Sequence, residues 1–171
     1  MTTGCTETQL QEFRDEALRL APPYPTHADL GTAPELRRVA MAGTDVGALV
    51  RMAFKNHPKS LTFFLNPVVA LELMIALNQA AMNFKWWDRQ ETSNAKPLGE
   101  LERQDLDKAL RVASIVTASE PNGLLVRFAG GDTFTFYIPR KFAAEVVTWL
   151  NYIGETAKWW DEDFRLLPKV N

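Results

Sequence analysis

The sequence predicts an α+β protein in which a unit of three strands and one helix occurs twice. The two units give a six-stranded antiparallel sheet and two long helices, to which an N-terminal helix is added. Three observations support this prediction: an internal repeat, strand-like alternation of apolar residues, and apolar stripes at helical spacing. The chain has 171 residues, 46% of them hydrophobic and 23% charged, which is typical of a globular protein. We therefore expect residues 1–171 to form one domain.

The internal repeat aligns residues 62–88 with residues 135–161. Ten of these 27 positions are identical at a constant offset of 73, whereas chance gives about two. The tripeptide Arg-Val-Ala at 38–40 also returns at 111–113. Length differences between the copies fall in predicted turns, as expected of a duplication. The sequence therefore divides into an N-terminal helix and linker (1–25), a first repeat (38–88), a connection (89–110), a second repeat (111–161) and a tail (162–171).

A helix is predicted over residues 7–20, ahead of the first repeat. Thr6 and Gln9 have the spacing of a capping box, and apolar residues follow at helical intervals. Three prolines end this helix, and the glycine and small polar residues after them predict a linker without regular structure.

Each repeat is predicted to contain three strands before its helix. In the first repeat, apolar and polar residues alternate over 50–54 and 61–65, and the polar run at 55–59 predicts a hairpin turn. An Asn-Pro pair at 66–67 is typical of a helix start. The second repeat has the same order, with a glycine pair as its hairpin signal and Pro139 as the first residue of its helix. A short helix is also predicted over about 101–110, in the connection.

The first long helix is apolar on two sides, which predicts that other parts of the protein or a partner cover both of these sides. One stripe of each long helix is expected to face the sheet, with Trp87 and Trp160 on that stripe and Trp86 and Trp159 at its flank. Around Asn78, on the opposite side, the first helix carries further apolar residues. We expect this side to contact the N-terminal helix or another subunit. The candidate interface residues are Leu71, Met74, Ile75, Asn78, Met82, Trp86 and Trp159.

Residues that carry catalytic or metal chemistry are few. His27 and His57 lie in predicted loops, and Cys5 is the single cysteine. This pattern predicts no zinc site, no disulfide and no histidine-assisted nucleophile. Glu72 and Glu145 recur because of the repeat, and we expect both on solvated flanks. We therefore expect no catalytic residue, no cofactor and no metal ion.

A cytoplasmic location is expected. The first residues lack the basic and apolar regions of a signal peptide, and no apolar run reaches the roughly 18 residues of a membrane span. We therefore expect no membrane partner. A formal net charge of −2 and a pI of about 5.7 disfavour nucleic acid as a partner.

In topology, the doubled strand-and-helix unit resembles the repeats of PUR-type and Whirly-type single-strand nucleic-acid binders. Those repeats have four strands, whereas three are predicted here, and no sequence motif carries over. The resemblance implies a nucleic-acid groove on the outer face of the sheet, where aromatic residues stack on bases and arginines bind phosphate. The candidate groove residues are Arg51, Phe64, Arg127 and Tyr137.

Taken together, these patterns predict a non-enzymatic protein-interaction module, such as an adaptor, inhibitor or immunity-type protein. Its partner is expected to be another protein or a second copy of the chain. A single-strand nucleic-acid binder and an enzyme of unrecognised type are the alternatives.

Overall fold

The chain forms one mixed β-sheet with helices, and the α+β prediction with six strands is confirmed. The computed structural model describes residues 4–88 and 107–169. The strands are β1 (Leu36–Gly43), β2 (Ala48–Phe54), β3 (Leu61–Leu65), β4 (Leu110–Glu120), β5 (Gly123–Gly130) and β6 (Thr133–Pro139). The α-helices in the described ranges are α1 (Glu7–Arg19), α2 (His27–Thr32), α3 (Pro67–Asn83) and α4 (Arg140–Thr156), and a 3-10 helix follows α3 at Trp86–Asp88. The predicted helix over 101–110 lies mostly outside the described residues, and its last position begins β4.

The sheet is not purely antiparallel, so that part of the prediction is wrong. Its strands follow sequence order, and all neighbouring pairs are antiparallel except β3 and β4, where Phe63 pairs with Leu110 in parallel. A parallel neighbour requires a crossover that returns the chain to the same end of the sheet. Helix α3 lies in that crossover. Because α3 returns the chain to the same end of the sheet, β4, the first strand of the second unit, runs parallel to β3, the last strand of the first unit.

The sheet curls so that its two edge strands approach each other. Glu35, just before β1, forms an isolated parallel bridge with Tyr137 of β6. On the inner face, Phe54 of β2 contacts Phe134 of β6, with ring centroids 5.3 Å apart. Residues from opposite ends of the strand order therefore share one apolar core.

Helices α3 and α4 pack on this core and beside each other. Each has 17 residues. At the start of α3, the Asn66 side chain accepts a hydrogen bond of 3.0 Å from the Val69 N–H, as the Asn-Pro signal predicts. Pro139 is the N-cap residue of α4 and supplies no side-chain hydrogen bond.

The predicted positions of the tryptophans are partly wrong. The apolar pattern extends each long helix through its tryptophan pair, whereas α3 ends at Asn83 and α4 at Thr156. Lys85 and Lys158 have φ of 54° and 57°, so the chain leaves the helix just before the tryptophan pairs. As a result Trp86 and Trp159 are only 4% and 2% exposed, although a flank position was expected. Trp160 is buried as expected, whereas Trp87 is 42% exposed.

The N-terminal segment covers the outer face of the second unit. Helix α1 begins with the predicted capping box between Thr6 and Gln9. The following linker contains α2, which was not predicted, because a six-residue helix between prolines that contains a glycine has almost no periodic signal. Arg127 of β5 donates to the Pro23 carbonyl (2.9 Å) and pairs with Asp29 of α2 (2.9 Å).

Candidate functional site

The main candidate site is a groove between α1 and α3, called here the α1–α3 groove. One wall is formed by α1 and its C-terminal end, and the other by the first half of α3. Ser114 and Ile115 of β4 also line it, together with Leu166 from the C-terminal tail. The groove has a volume of about 480 Å³. Its remaining lining residues are Arg14, Ala17, Leu18 and Ala21 on the α1 side and Val68, Leu71, Glu72 and Ile75 on the α3 side.

Packing at one end of the groove explains why α1 stays beside α3. Cys5, Leu10 and Val68 form a small buried cluster, separate from the main core, with Phe13 packed against it. The N–H of Lys169 donates to the Cys5 carbonyl (2.9 Å), which ties the C-terminal tail to the start of α1. Burial raises the pKa of the Cys5 thiol to about 11. This cluster anchors the N-terminal half of α1. The C-terminal half is held to β4, because Glu16 pairs with Arg111 (2.8 Å) and the Leu20 carbonyl accepts a hydrogen bond from the Ser114 hydroxyl (2.9 Å).

Apolar side chains are left in solvent along the groove and beyond it. Leu18 on the α1 wall is 80% exposed, and Ile75 on the α3 wall is 38% exposed. Met82, two turns beyond Ile75 on α3, is 74% exposed. Large apolar residues close together on a surface are typical of contact sites. The chain therefore presents an apolar surface that its own described residues do not cover.

The groove also carries one charge on each wall. Arg14 is exposed on α1, and Glu72 is exposed on α3. Although Glu72 keeps contact with solvent, its surroundings partly desolvate the carboxyl group and raise its pKa. Glu145, the matching residue of α4, is half-buried, and desolvation raises its pKa as well. The ionised form of Glu72 is therefore less well solvated than that of a free carboxylate.

The predicted interface residues separate into two groups. Met74, Trp86 and Trp159 are buried in the main core and present no surface to a partner. Leu71 and Asn78 are half-buried, and Ile75 and Met82 are exposed. The predicted set thus combines two exposed residues of α3 with three residues that belong to the interior, and its role as an interface stays a prediction.

The predicted nucleic-acid residues of the second unit are engaged by the chain itself. Besides its contacts with the linker, the Arg127 guanidinium donates to the Thr135 hydroxyl (2.8 Å). Tyr137 donates its hydroxyl to Glu120, and its backbone N–H donates to the Pro34 carbonyl (2.9 Å). Desolvation and the Glu120 carboxylate raise the pKa of Tyr137. A nucleic acid would have to displace the linker to reach these two side chains.

The other two groove residues lie in the first unit, on the same outer face. Arg51 of β2 donates to the Thr62 hydroxyl of β3 (3.3 Å), and Phe64 of β3 is half-buried. Strand β4 lies between β3 and β5, so the four predicted residues form two separate pairs. The structure does not join them into one continuous groove.

The sequence reasoning missed the α1 wall. It assigned α1 a buried stripe and gave no role to Arg14 or Leu18. That stripe consists of Leu10, Phe13, Ala17 and Leu20. Leu18 directly follows Ala17, so it lies on the polar side of the helix. A large apolar residue on a polar helix face was the available signal for this wall.

The described residues contain neither a metal-binding cluster nor a membrane-spanning helix. Residues 4–88 and 107–169 contain no group of three His, Cys, Asp or Glu side chains placed to hold a metal ion. In the same ranges, no helix has the length and apolar character needed to cross a membrane.

Comparisons with known proteins identify no relative. No protein-family model matches the chain, and neither the curated proteins nor the solved structures give a significant match.

Proposed function

We propose that the chain is a non-enzymatic protein-interaction module whose contact surface is the α1–α3 groove together with Met82. The observation that carries this proposal is the exposure of large apolar side chains on both walls of one open groove. Burying such a side chain fully is worth about 1.5–3 kcal/mol. Leu18, Ile75 and Met82 are 80%, 38% and 74% exposed, so a partner that covers all three would gain roughly twice this amount before the cost of association is subtracted.

The proposed module is of the adaptor, inhibitor or immunity type and acts in the cytoplasm. In such proteins the folded scaffold presents a surface, and the partner provides or loses an activity. The small size and acidic character of the chain fit this type. The proposed partner is another protein or a second copy of the chain.

We further propose that the fold arose by duplication of the strand-strand-strand-helix unit. Matched details support this proposal. Arg51 donates to Thr62 in the first unit as Arg127 donates to Thr135 in the second. A Cβ atom on Gly47 would collide with the Phe64 ring and the Leu65 carbonyl, and one on Gly123 with the Tyr137 ring and the Ile138 carbonyl.

The proposed function is tested by purifying the tagged chain from the cell that produces it. Two variants are compared with the wild type: Leu18→Asp in the groove and Tyr24→Asp in the linker. Both residues are highly exposed, so neither change disturbs the core. We expect Leu18→Asp to lose a stoichiometric protein partner that the Tyr24→Asp variant retains. Equal recovery of all bound proteins with the two variants would refute the groove as the contact surface.

A further inference from the structure

The two walls of the α1–α3 groove carry opposite charges, and neither charge forms an ion pair among the described residues. Arg14 projects from α1 and Glu72 from α3. Across residues 4–88 and 107–169, the ion pairs that form involve other side chains. A partly desolvated carboxylate gains more from an approaching cation than a fully hydrated one does. The raised pKa of Glu72 indicates such partial desolvation.

The same two walls also carry complementary apolar groups. Leu18 stands one turn after Arg14 on α1, and Ile75 stands three residues after Glu72 on α3. Each wall therefore presents one charged side chain and one exposed large apolar side chain. The α1 wall is basic where the α3 wall is acidic, so an α1 wall is the charge complement of an α3 wall.

We propose that the groove is filled by a second copy of this chain, related to the first by a twofold axis parallel to the groove. Such an axis places α1 of each copy against α3 of the other. Arg14 of each copy then pairs with Glu72 of the other copy, and Leu18 of each packs against Ile75 of the other. This inference rests on the proposed function, because it names the occupant of the same surface.

Twofold symmetry strengthens the argument because every contact forms twice. In an isologous interface one patch meets its own copy, so the patch must contain both halves of each interaction. The α1–α3 groove contains both halves of an ion pair and both halves of an apolar contact. A different protein would need to supply an acidic and a basic group in the matching order, whereas a second copy carries them already.

The experiment is a charge exchange followed by sedimentation velocity from about 1 to 200 µM, a range that spans typical weak-dimer affinities. The single variants Arg14→Glu and Glu72→Arg place like charges opposite each other twice in the dimer. The double variant Arg14→Glu/Glu72→Arg restores opposite charges with their positions exchanged. The matched control is Arg19→Glu, since Arg19 is exposed on α1 but does not line the groove.

We expect the wild type to form dimers. The dimer Kd of each single variant should be at least about tenfold higher than that of the wild type. The double variant is expected to recover a Kd within about threefold of the wild type, and Arg19→Glu to change it by less than about twofold. A wild type that remains monomeric throughout the range would overturn the proposal. So would a double variant as weak as the single ones, or an Arg19→Glu variant equally weak. If the chain is monomeric but Leu18→Asp still loses a partner in the co-purification, the proposed function stands and only this inference fails.

Discussion

The indole N–H of Trp86 donates a hydrogen bond of 2.8 Å to the carbonyl oxygen of Pro121, in the turn between β4 and β5. A matching bond runs from the Trp159 N–H to the Asp45 carbonyl (3.3 Å), in the turn between β1 and β2. The first tryptophan after each long helix therefore reaches the first hairpin turn of the other unit. These two contacts connect the units at positions far apart in sequence.

Replacing either of these tryptophans by phenylalanine is expected to destabilise the fold. Trp86→Phe and Trp159→Phe each remove one buried hydrogen bond, worth about 0.5–1.5 kcal/mol, and leave a small cavity. In each variant, we expect the lost bond and the cavity together to lower the free energy of unfolding by about 1–3 kcal/mol. Urea denaturation measures this loss. The control is Trp87→Phe, because Trp87 is largely exposed, and its effect should be below about 0.5 kcal/mol. Equal losses from all three variants would contradict the assigned contacts.

The positive φ angles of Lys85 and Lys158 predict that glycine stabilises both positions. A non-glycine residue in the left-handed region costs about 1–2 kcal/mol, and glycine removes most of this cost while adding entropy to the unfolded chain. We expect Lys85→Gly and Lys158→Gly each to raise stability by up to about 1 kcal/mol. A valine at either position should lower it, because a β-branched residue tolerates this conformation poorly.

The control for these glycine variants is Lys59→Gly, in the turn between β2 and β3. Lys59 is exposed and is not among the residues with positive φ. Thermal denaturation should show no gain for this variant. A gain equal to those at Lys85 and Lys158 would show that the effect comes from charge removal and not from the backbone.

The hydrogen bond from Tyr137 to Glu120 predicts a pH-dependent contribution to stability. Because the folded-state pKa of Tyr137 lies above its ordinary value of 10.0, the hydroxyl stays protonated longer in the folded chain than in the unfolded chain. This contribution is complete below pH 10 and is lost as the pH rises above it. The stability of Tyr137→Phe should therefore fall less steeply with pH than that of the wild type.

Denaturant midpoints at pH 8, 9.5 and 10.5 measure this difference. At pH 8 we expect Tyr137→Phe to be less stable by about 0.5–1.5 kcal/mol, and the difference should shrink at pH 10.5. The exposed Tyr24 provides the control, since Tyr24→Phe should follow the wild type at each pH. A constant difference between wild type and Tyr137→Phe would contradict the assigned bond.

Single-stranded oligonucleotides are expected not to bind. The linker holds Arg127 and Tyr137, and the chain carries a net negative charge that repels a phosphate backbone. Fluorescence anisotropy of labelled oligo(dT) and oligo(U) should show no saturable change even at low salt. A salt-sensitive complex that is lost in the Arg51→Ala/Arg127→Ala variant would instead favour the nucleic-acid alternative.

The six strands and helices α1, α3 and α4 could be predicted from the sequence, whereas α2 and the way the elements pack together could not. Alternation and turn signals located the strands, because strands buried on one face keep a period of two. The Asn-Pro and capping-box signals gave the helix starts for the same local reason. The parallel β3–β4 pair, the linker packed on Arg127 and the tryptophan positions depend instead on contacts between distant segments. At Lys85 and Lys158, the positive φ has no signal in residue type, since glycine is the usual residue there.

Only the α3 wall of the groove could be predicted from the sequence. The two-sided apolar pattern of α3 indicated Ile75 and Met82, because an apolar residue outside the core stripe stands out in a helix. The position of α1 is set by the Cys5, Leu10 and Val68 cluster and by the bonds of Glu16 and Leu20 to β4, all of which join residues far apart in the chain. Arg14 and Glu72 line the same groove only as a result of that packing.

The central claim, that this chain binds a protein through the α1–α3 groove, is tested most directly by site-specific photo-cross-linking in the cell that produces it. The photoreactive residue p-benzoylphenylalanine is placed at Leu18 in one variant and at Tyr24 in the other. We predict a discrete protein adduct from position 18, with a mass that distinguishes a second copy from another partner, and none from position 24. The absence of an adduct at position 18, or the same adducts from both positions, would contradict the claim.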